Sequence, residues 1–318
     1  MAKVTNAFDT YGAKGNREDL SSIIYNIDPF DTPFISAIGR RNVSNVTFDW
    51  QTENLPTVDG SNAQLEGFEL SRATATPTVR ESNVCQISSR DATVSGTQNT
   101  ADAAGKAKEM AHQMALVSKA LKRDMEKILT GTQGKNAGDA TTARTTRALE
   151  SWLSTNALRA SDGADATDAN SAPTDGTQRA LTEDLVKEAM QTSYINGAEP
   201  SILMVGPVNK LQVSKFTGRS ATQVNVGENT VTSNVTIYAS DFGELRVVVN
   251  RHQRENTAFL LDPEYAKVAY YRNFSRTPIA KIGDADTEML IVEYGLEISN
   301  EGAHAAIADI FDTNAEYA

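Results

Sequence analysis

The sharpest periodicity in the chain lies between residues 103 and 130. Met110, Met114, Val117, Leu121, Met125 and Ile128 recur at steps of three and four, which places them on one face of a helix. The pattern predicts a helix from about Ala103 to Thr130, stopped at Gly131 and roughly 40 Å long at 1.5 Å per residue. Lys108, Lys119, Lys122 and Lys127, interleaved with Asp124 and Glu126, fall on the opposite face, which reads as solvated.

Upstream the signals are weaker. Residues 1 to about 45 are polar, with two short helical stretches. Asn16 can cap one through Leu20, and Asp31 can cap another from Thr32 to Ile38, with Pro33 in its first turn and Gly39 as terminator. Helices of two turns bury little apolar surface alone, so this segment is expected to lie against something else. From Val46 the period becomes two: Val46, Phe48 and Trp50 alternate with Thr47 and Asp49, as a half-buried strand requires. Residues 51–76 are polar, with Pro56, Gly60 and Gly67, and further strand signals fall at Thr78–Arg80, Val84–Ile87 and Thr93–Ser95. Together they predict a long two-stranded excursion whose tip holds few large apolar groups and needs a neighbour to lie on.

Downstream, Ala148–Leu153 reads as a short helix carrying Trp152, and residues 159–180 as an acidic loop too polar for a core. Thr182 caps a helix to Tyr194 ended by Gly197. Pro200–Val205 is a buried strand, and Pro207 opens a helix to Phe216. The last third reads as strands at Val235–Tyr238, Leu245–Val249, Ala258–Leu261, Val268–Tyr271 and Met289–Ile298. The fold class is therefore α+β.

Composition narrows the function. The chain has 318 residues, 40% hydrophobic and 22% charged, enough for about two domains and a sizeable core. Cys85 is the only cysteine, which excludes an internal disulfide and paired-cysteine zinc sites. No apolar run reaches membrane-spanning length and the N-terminus lacks a signal-peptide core, so an intracellular product is expected. A net charge of −11 argues against gripping nucleic acid as the main task. Lys122-Arg123, the nearest basic patch, reads as a solvated helix face.

Candidate chemistry is thin. Asp241-Phe242-Gly243 matches the metal-binding corner of protein kinases, but the other kinase motifs are absent, and a hairpin turn suffices. Gly131–Asn136 is too short for a phosphate loop and follows a helix instead of a strand. Asp162, Asp165, Asp168 and Asn170 lack the spacing of a helix-loop-helix calcium site. His112, His252 and His304 are isolated, with no Cys or acidic residue at metal-ligand spacing. No catalytic, cofactor or metal site is expected.

Seven segments, in order, resemble the major capsid proteins of tailed bacteriophages: NREDLSSIIYNIDPFDTPFISAIG (16–39), NVCQISSRDATVSGTQ (83–98), LKRDMEKILTG (121–131), LESWLSTN (149–156), YASDFGELRVVVNR (238–251), LLDPEYAKVAYYR (260–272) and AKIGDADTEMLIVEYGLEISNEGAH (280–304). The resemblance covers most of the chain and is weaker at the tip of the excursion and at 157–180. It implies the fold shared with herpesvirus shells and encapsulins: an N-terminal arm (1–45), an extended β-hairpin loop with flanking strands (46–97), a peripheral domain (98–180 and 263–300) built on a spine helix at about 103–130, and an axial domain (181–262 and 301–318).

The implied function is structural: a subunit that self-assembles as hexamers and pentamers into an icosahedral head enclosing double-stranded DNA, in the virion after assembly in the host cytoplasm. Portal and decoration proteins are further possible partners. Some shells of this fold weld subunits by a lysine–asparagine bond. Here no lysine occurs between Lys14 and Lys106, so no such cross-link is expected. About 45 residues before the first strand leave no room for a fused scaffolding domain, so a separate scaffolding protein is expected. The acidic charge suits an inner wall that does not bind the packaged DNA tightly.

Pro29, Phe30, Pro33 and Phe34 in the arm, and Leu55, Leu65, Phe68 and Leu70 in the loop, are the candidate assembly contacts: apolar residues in segments that cannot bury them locally. Replacing Phe34 by Asp is expected to block assembly more than it lowers subunit solubility. An encapsulin-like compartment is the first alternative function and an unrelated cytosolic α+β enzyme the second. A compact enzyme of this length would have a radius of gyration of roughly 20 Å, which a subunit with a thrown-out arm and loop exceeds.

Overall fold

The computed structural model describes residues 31–53, 55, 58–69, 77–101, 108–216 and 235–314. In chain order the elements are α1 (Pro33–Ala37), β1 (Gly39–Asn42), β2 (Thr47–Thr52), β3 (Val79–Val84), β4 (Gln86–Ser95), α2 (Gly96–Thr100), α3 (Glu109–Leu129), α4 (Leu149–Trp152), β5 (Ala157–Leu158), α5 (Glu183–Ile195), β6 (Ile202–Val205), α6 (Pro207–Val213), β7 (Ile237–Ser240), β8 (Gly243–Val249), β9 (Ala258–Leu261), β10 (Ala266–Ile279), β11 (Ala285–Ile298) and β12 (Ala305–Ile307).

Three sheets organise them. A four-stranded sheet runs β1-β10-β11-β4, a six-stranded sheet runs β5-β12-β9-β6-β8-β7, and β2 pairs only with β3. The long hairpin β10–β11 is the backbone of the first sheet. Its inner half is buried, whereas β10 is exposed from Tyr271 onward apart from the half-buried Phe274. Register shifts between Tyr270 and Ser275 mark where the ribbon bends away from the core.

The helix α3 lies on this sheet. Met110, Met114, Leu121, Met125 and Leu129 are buried on its inner face together with Phe34, Val268, Tyr294 and Leu296. It begins at Glu109, since Lys108 is extended, so it spans 21 residues and roughly 32 Å, shorter than the periodicity predicts. Residues 103–107 lie outside the described residues.

The six-stranded sheet has two apolar faces, because side chains alternate along a strand. Leu203 and Val205 face α5 and α6 in a core with Val186, Met190, Val213, Leu245, Leu260 and Ile307. Ile202 and Met204, with Phe259 and Leu261, join the core of the first sheet. The two sheets therefore share an interior.

Several local expectations hold: Thr182 caps α5 through its side chain, which accepts from Leu185 N, and Gly197 after it takes φ +82°. Asp241 and Phe242 form the β7–β8 turn. Others need correction. Thr32, not Asp31, precedes α1, and its side chain makes no cap bond. The strand β1, parallel to β10 from Gly39↔Lys267 to Asn42↔Tyr270, is absent from the sequence reading because GRRN shows no apolar alternation; all four of its residues are exposed.

The 159–180 loop has no apolar core, yet it is pinned by charge. Asp309 is buried and accepts from Ala160 N at 3.0 Å and Gly176 N at 2.7 Å. Arg159 bridges Asp165 (2.6 Å) and Glu150 (3.2 Å), and Arg254 bridges Glu150 (3.2 Å) and Asp175. Burial raises the pKa of Glu150 although both arginines pull it down.

Candidate assembly surfaces

The β2–β3 ribbon is a two-stranded projection in register from Thr47↔Val84 to Thr52↔Val79. Its base is anchored: Phe48 packs with Cys85 and Ala269, Phe48 stacks on Trp50 at 5.9 Å between ring centroids, and Trp50 meets Trp152 at 5.4 Å. Along the same ribbon, Asp49 holds Arg80 and Thr78 bonds Gln51.

Past the ribbon, every described residue from Glu53 to Glu69 is exposed. Leu55 is 94% exposed, Val58 94%, Leu65 83% and Phe68 49%. Among the described residues these side chains have little cover, and fully burying one such side chain stabilises by about 1.5–3 kcal/mol. Leu55, Leu65 and Phe68 are thus exposed apolar side chains within one stretch of chain. Leu70, Pro29 and Phe30 lie outside the described residues.

Phe34 is different. It is fully buried in the subunit's own core, and Pro33 beside it is half-buried. Phe34 is therefore a folding residue and leaves the list of exposed contact candidates. The expectation that Phe34→Asp would block assembly more than it lowers subunit solubility is corrected accordingly: a charge there would sit in the core.

What holds this stretch is a group that the sequence reading assigned to solvent. Glu126 on α3 is fully buried. One carboxylate oxygen accepts from Phe34 N at 2.6 Å and from Asn250 Nδ2 at 2.8 Å, and the other accepts from Ile35 N at 3.0 Å. A single carboxylate thus ties α1, α3 and the chain end of β8 together. Burial pushes its pKa up to about 7, opposed by these three hydrogen bonds. The sequence carried a faint signal: Glu126 follows Met125 and lies one helical turn before Leu129 and Thr130, so it flanks the apolar stripe.

A second buried polar stitch, also unread in the sequence, is Asn83. Its amide donates to Thr146 Oγ1 (3.0 Å) and Leu296 O (2.6 Å), while its oxygen accepts from Arg147 N (2.9 Å). It locks the root of the loop to β11.

The other side chains singled out in the sequence are engaged locally. Burial raises the Cys85 thiol to about 12, leaving it unreactive at neutral pH. Asp162 accepts from Thr177, Asp165 from Arg159, and Asp168 from Asn170 and Ser171, so these carboxylates are spent within the loop. Among the described residues no group of three or more His, Cys, Asp or Glu could hold a metal ion, and no helix is long and apolar enough to cross a membrane.

A family model described as SU10 major capsid protein matches residues 3–311. The chain belongs to that family. A curated major capsid protein of Escherichia phage Phieco32 is 26% identical over 340 residues, covering 94% of this chain and 96% of the relative. Among solved structures, this capsid protein is similar to the capsid of cyanophage A-1(L), with a TM-score of 0.63 at 12% identity, covering 96% of this chain and 99% of that one. It is similar to the capsid of a native GTA particle, with a TM-score of 0.63 at 13% identity over 95% and 98%. The SrpI encapsulin of Synechococcus elongatus PCC 7942 is also similar, with a TM-score of 0.57 at 10% identity over 94% of each chain. These likenesses establish the tailed-phage capsid fold, and the family match makes the chain a phage major capsid protein, a structural component of the virion.

Proposed function

We propose that the subunit self-assembles as hexamers and pentamers into an icosahedral head that encloses double-stranded DNA, without lysine–asparagine cross-links. The observation that carries this reading is the segment 53–69. A chain with two well-filled cores leaves Leu55, Val58, Leu65 and Phe68 in water at the end of a ribbon. Such a patch is covered by another molecule, and in a capsid the abundant neighbour is a second copy. The absence of lysine from Lys14 to Lys106 supports a shell held by many modest contacts instead of bonds through this loop. A net charge of −11 supports a wall that encloses DNA without adsorbing it tightly.

Particles purified from infected cells test this reading through their contents and their covalent state. Nuclease-protected DNA inside, and a single subunit band on a denaturing gel, are the expected results. A covalent ladder would refute the claim about cross-linking. Particles filled with protein cargo and no DNA would favour the compartment reading instead. Co-purification of a separate scaffolding protein with DNA-free precursors is expected in the same preparation.

A further inference from the structure

The chain is acidic, with a net charge of −11, and many of its arginines are neutralised where they stand. Arg80, Arg90, Arg144, Arg272 and Arg276 each sit on a carboxylate. One neighbourhood departs from that pattern. Lys122 and Arg123 are adjacent on α3, and Lys127 follows one turn after Arg123. Arg40 on β1 and Lys122 line the same groove, of about 450 Å³, where α1, β1, α3 and the bend of β10 meet. Arg251 and His252, just past the end of β8, lie close to Arg123. Burial holds the His252 imidazole below its ordinary range, and the charges of Arg123 and Arg251 push the same way, partly offset by Asp31.

Arg40, Lys122, Lys127 and Arg251 are exposed and Arg123 is half-buried. Among the described residues no carboxylate forms an ion pair with any of the five. The acids nearest to them on α3 are spent, Asp124 on Arg90 at 2.5 Å and Glu126 on the backbone N–H groups of α1. Three segments distant in sequence thus bring uncompensated cations together on an acidic chain, and Asn42 and Asn273 add amide donors to the groove. Other cavities have the opposite character: one beside β3 and α4 carries Glu53, Glu81 and Glu301, and another carries Glu199, Asp262 and Glu264. The complement of the cationic surface is a run of anions rich in hydrogen-bond acceptors, which describes a phosphodiester backbone.

We propose that Arg40, Lys122, Arg123, Lys127 and Arg251 form a contact surface for the phosphates of DNA. The surrounding negative field keeps each contact weak, which agrees with a wall that does not adsorb DNA tightly. A shell repeats the surface on every subunit, so weak contacts add along one enclosed molecule. Contacts to phosphate carry no sequence information, and a head has to accept whatever sequence it is given. The proposal rests on the DNA-enclosing reading above and assigns the surface where the subunit meets what the shell encloses.

A titration and a cross-link test it. Dissociated subunits should bind a short labelled DNA duplex at low salt, followed by fluorescence anisotropy. About four phosphate contacts require a slope of about −3 to −4 in log affinity against log salt, or about a hundredfold loss between about 50 and 200 mM. Arg40→Gln with Lys122→Gln should reduce the steepness of that slope by about 2. Lys108→Gln with Lys215→Gln removes the same charge from exposed lysines outside the groove and should leave the slope unchanged. Equal changes in the two double variants would mean that net charge alone matters and would overturn the proposal, as would the absence of binding at low salt. Poly-L-glutamate that binds more tightly than the duplex at equal charge, and is lost in the Arg40→Gln/Lys122→Gln variant, overturns the DNA assignment in favour of an acidic protein segment. In DNA-filled particles, formaldehyde should tie DNA to peptides carrying Lys122 or Lys127. Adducts confined to other lysines overturn the proposal while enclosure stands. Particles without DNA overturn the enclosure reading instead, and the titration still decides the surface.

Discussion

Replacing Glu126 by Gln removes a titrating carboxyl from the junction of α1, α3 and β8 while keeping the side chain's size. The folded carboxyl titrates at about 7, against 4.5 for an unperturbed glutamate, because burial disfavours its charge more than the bonds from Phe34 N, Ile35 N and Asn250 favour it. The folded pKa is the higher one, so the stabilisation is full below about pH 4.5 and disappears as the pH rises through about 7. At about 1.4 kcal/mol per pKa unit, the loss from this one group between pH 5 and pH 8 is about 2–3 kcal/mol. His304 acts in the opposite sense. Its burial lowers its pKa from 6.5 to about 4, so its contribution is full above pH 6.5 and falls as the pH drops toward 4. The raw profile of the subunit therefore mixes two slopes, and the Glu126→Gln variant separates them. Urea unfolding of dissociated subunits at pH 5, 6, 7 and 8, followed by the fluorescence of Trp50 and Trp152, measures both proteins. The variant should be less stable at pH 5, because an amide N–H then faces a backbone N–H, and the gap should narrow by about 2–3 kcal/mol by pH 8. Parallel profiles for the two proteins would refute the reasoning.

Three further substitutions separate folding residues from surface ones. Phe34→Ala should cost about 3–5 kcal/mol of subunit stability, as expected for an aromatic ring removed from a packed core, and a denaturation midpoint close to that of the unmodified protein would contradict its placement. Glu150→Ala removes the buried carboxylate that Arg159 and Arg254 share and leaves them only the more exposed Asp165 and Asp175. Breaking such a network costs about 3–5 kcal/mol, and faster proteolysis within 159–180 should accompany the loss. Leu65→Asp is the converse case: its side chain is 83% exposed, so melting of the subunit should shift by less than about 0.5 kcal/mol equivalent while particle yield collapses.

The sequence disclosed those elements whose local pattern agrees with their tertiary role. The stripe of α3, the Thr182 cap and Gly197 stop of α5, the apolar PSILMV run of β6 and the Asp241–Phe242 turn are of this kind. β1 was invisible because Gly39–Asn42 is paired on one edge only and exposed throughout, so nothing selects apolar side chains there. The burial of Glu126 was only faintly signalled because it depends on two backbone N–H groups 91 and 92 residues away. α1 is five residues long, with no room for internal bonds from its first N–H groups, and Glu126 supplies their acceptor. The acidic loop misled for the same reason. Its anchor, Asp309, lies more than a hundred residues downstream, and composition alone cannot show that a distant carboxylate caps it.

The candidate site divides along that line. Leu55, Leu65 and Phe68 were legible because they are large apolar residues in a segment with no period, and exposure is what such a pattern implies. Phe34 looked alike in sequence, yet five residues of helix capped by Glu126 fold it inward.

The most direct test of the central claim is sedimentation velocity of the purified chain, alone and with the proposed scaffolding protein, with electron microscopy of the fastest fraction. Large hollow particles, or rings of five and six subunits, are the predicted result. A species that stays a monomer or dimer with scaffold and crowding agent present would contradict the account.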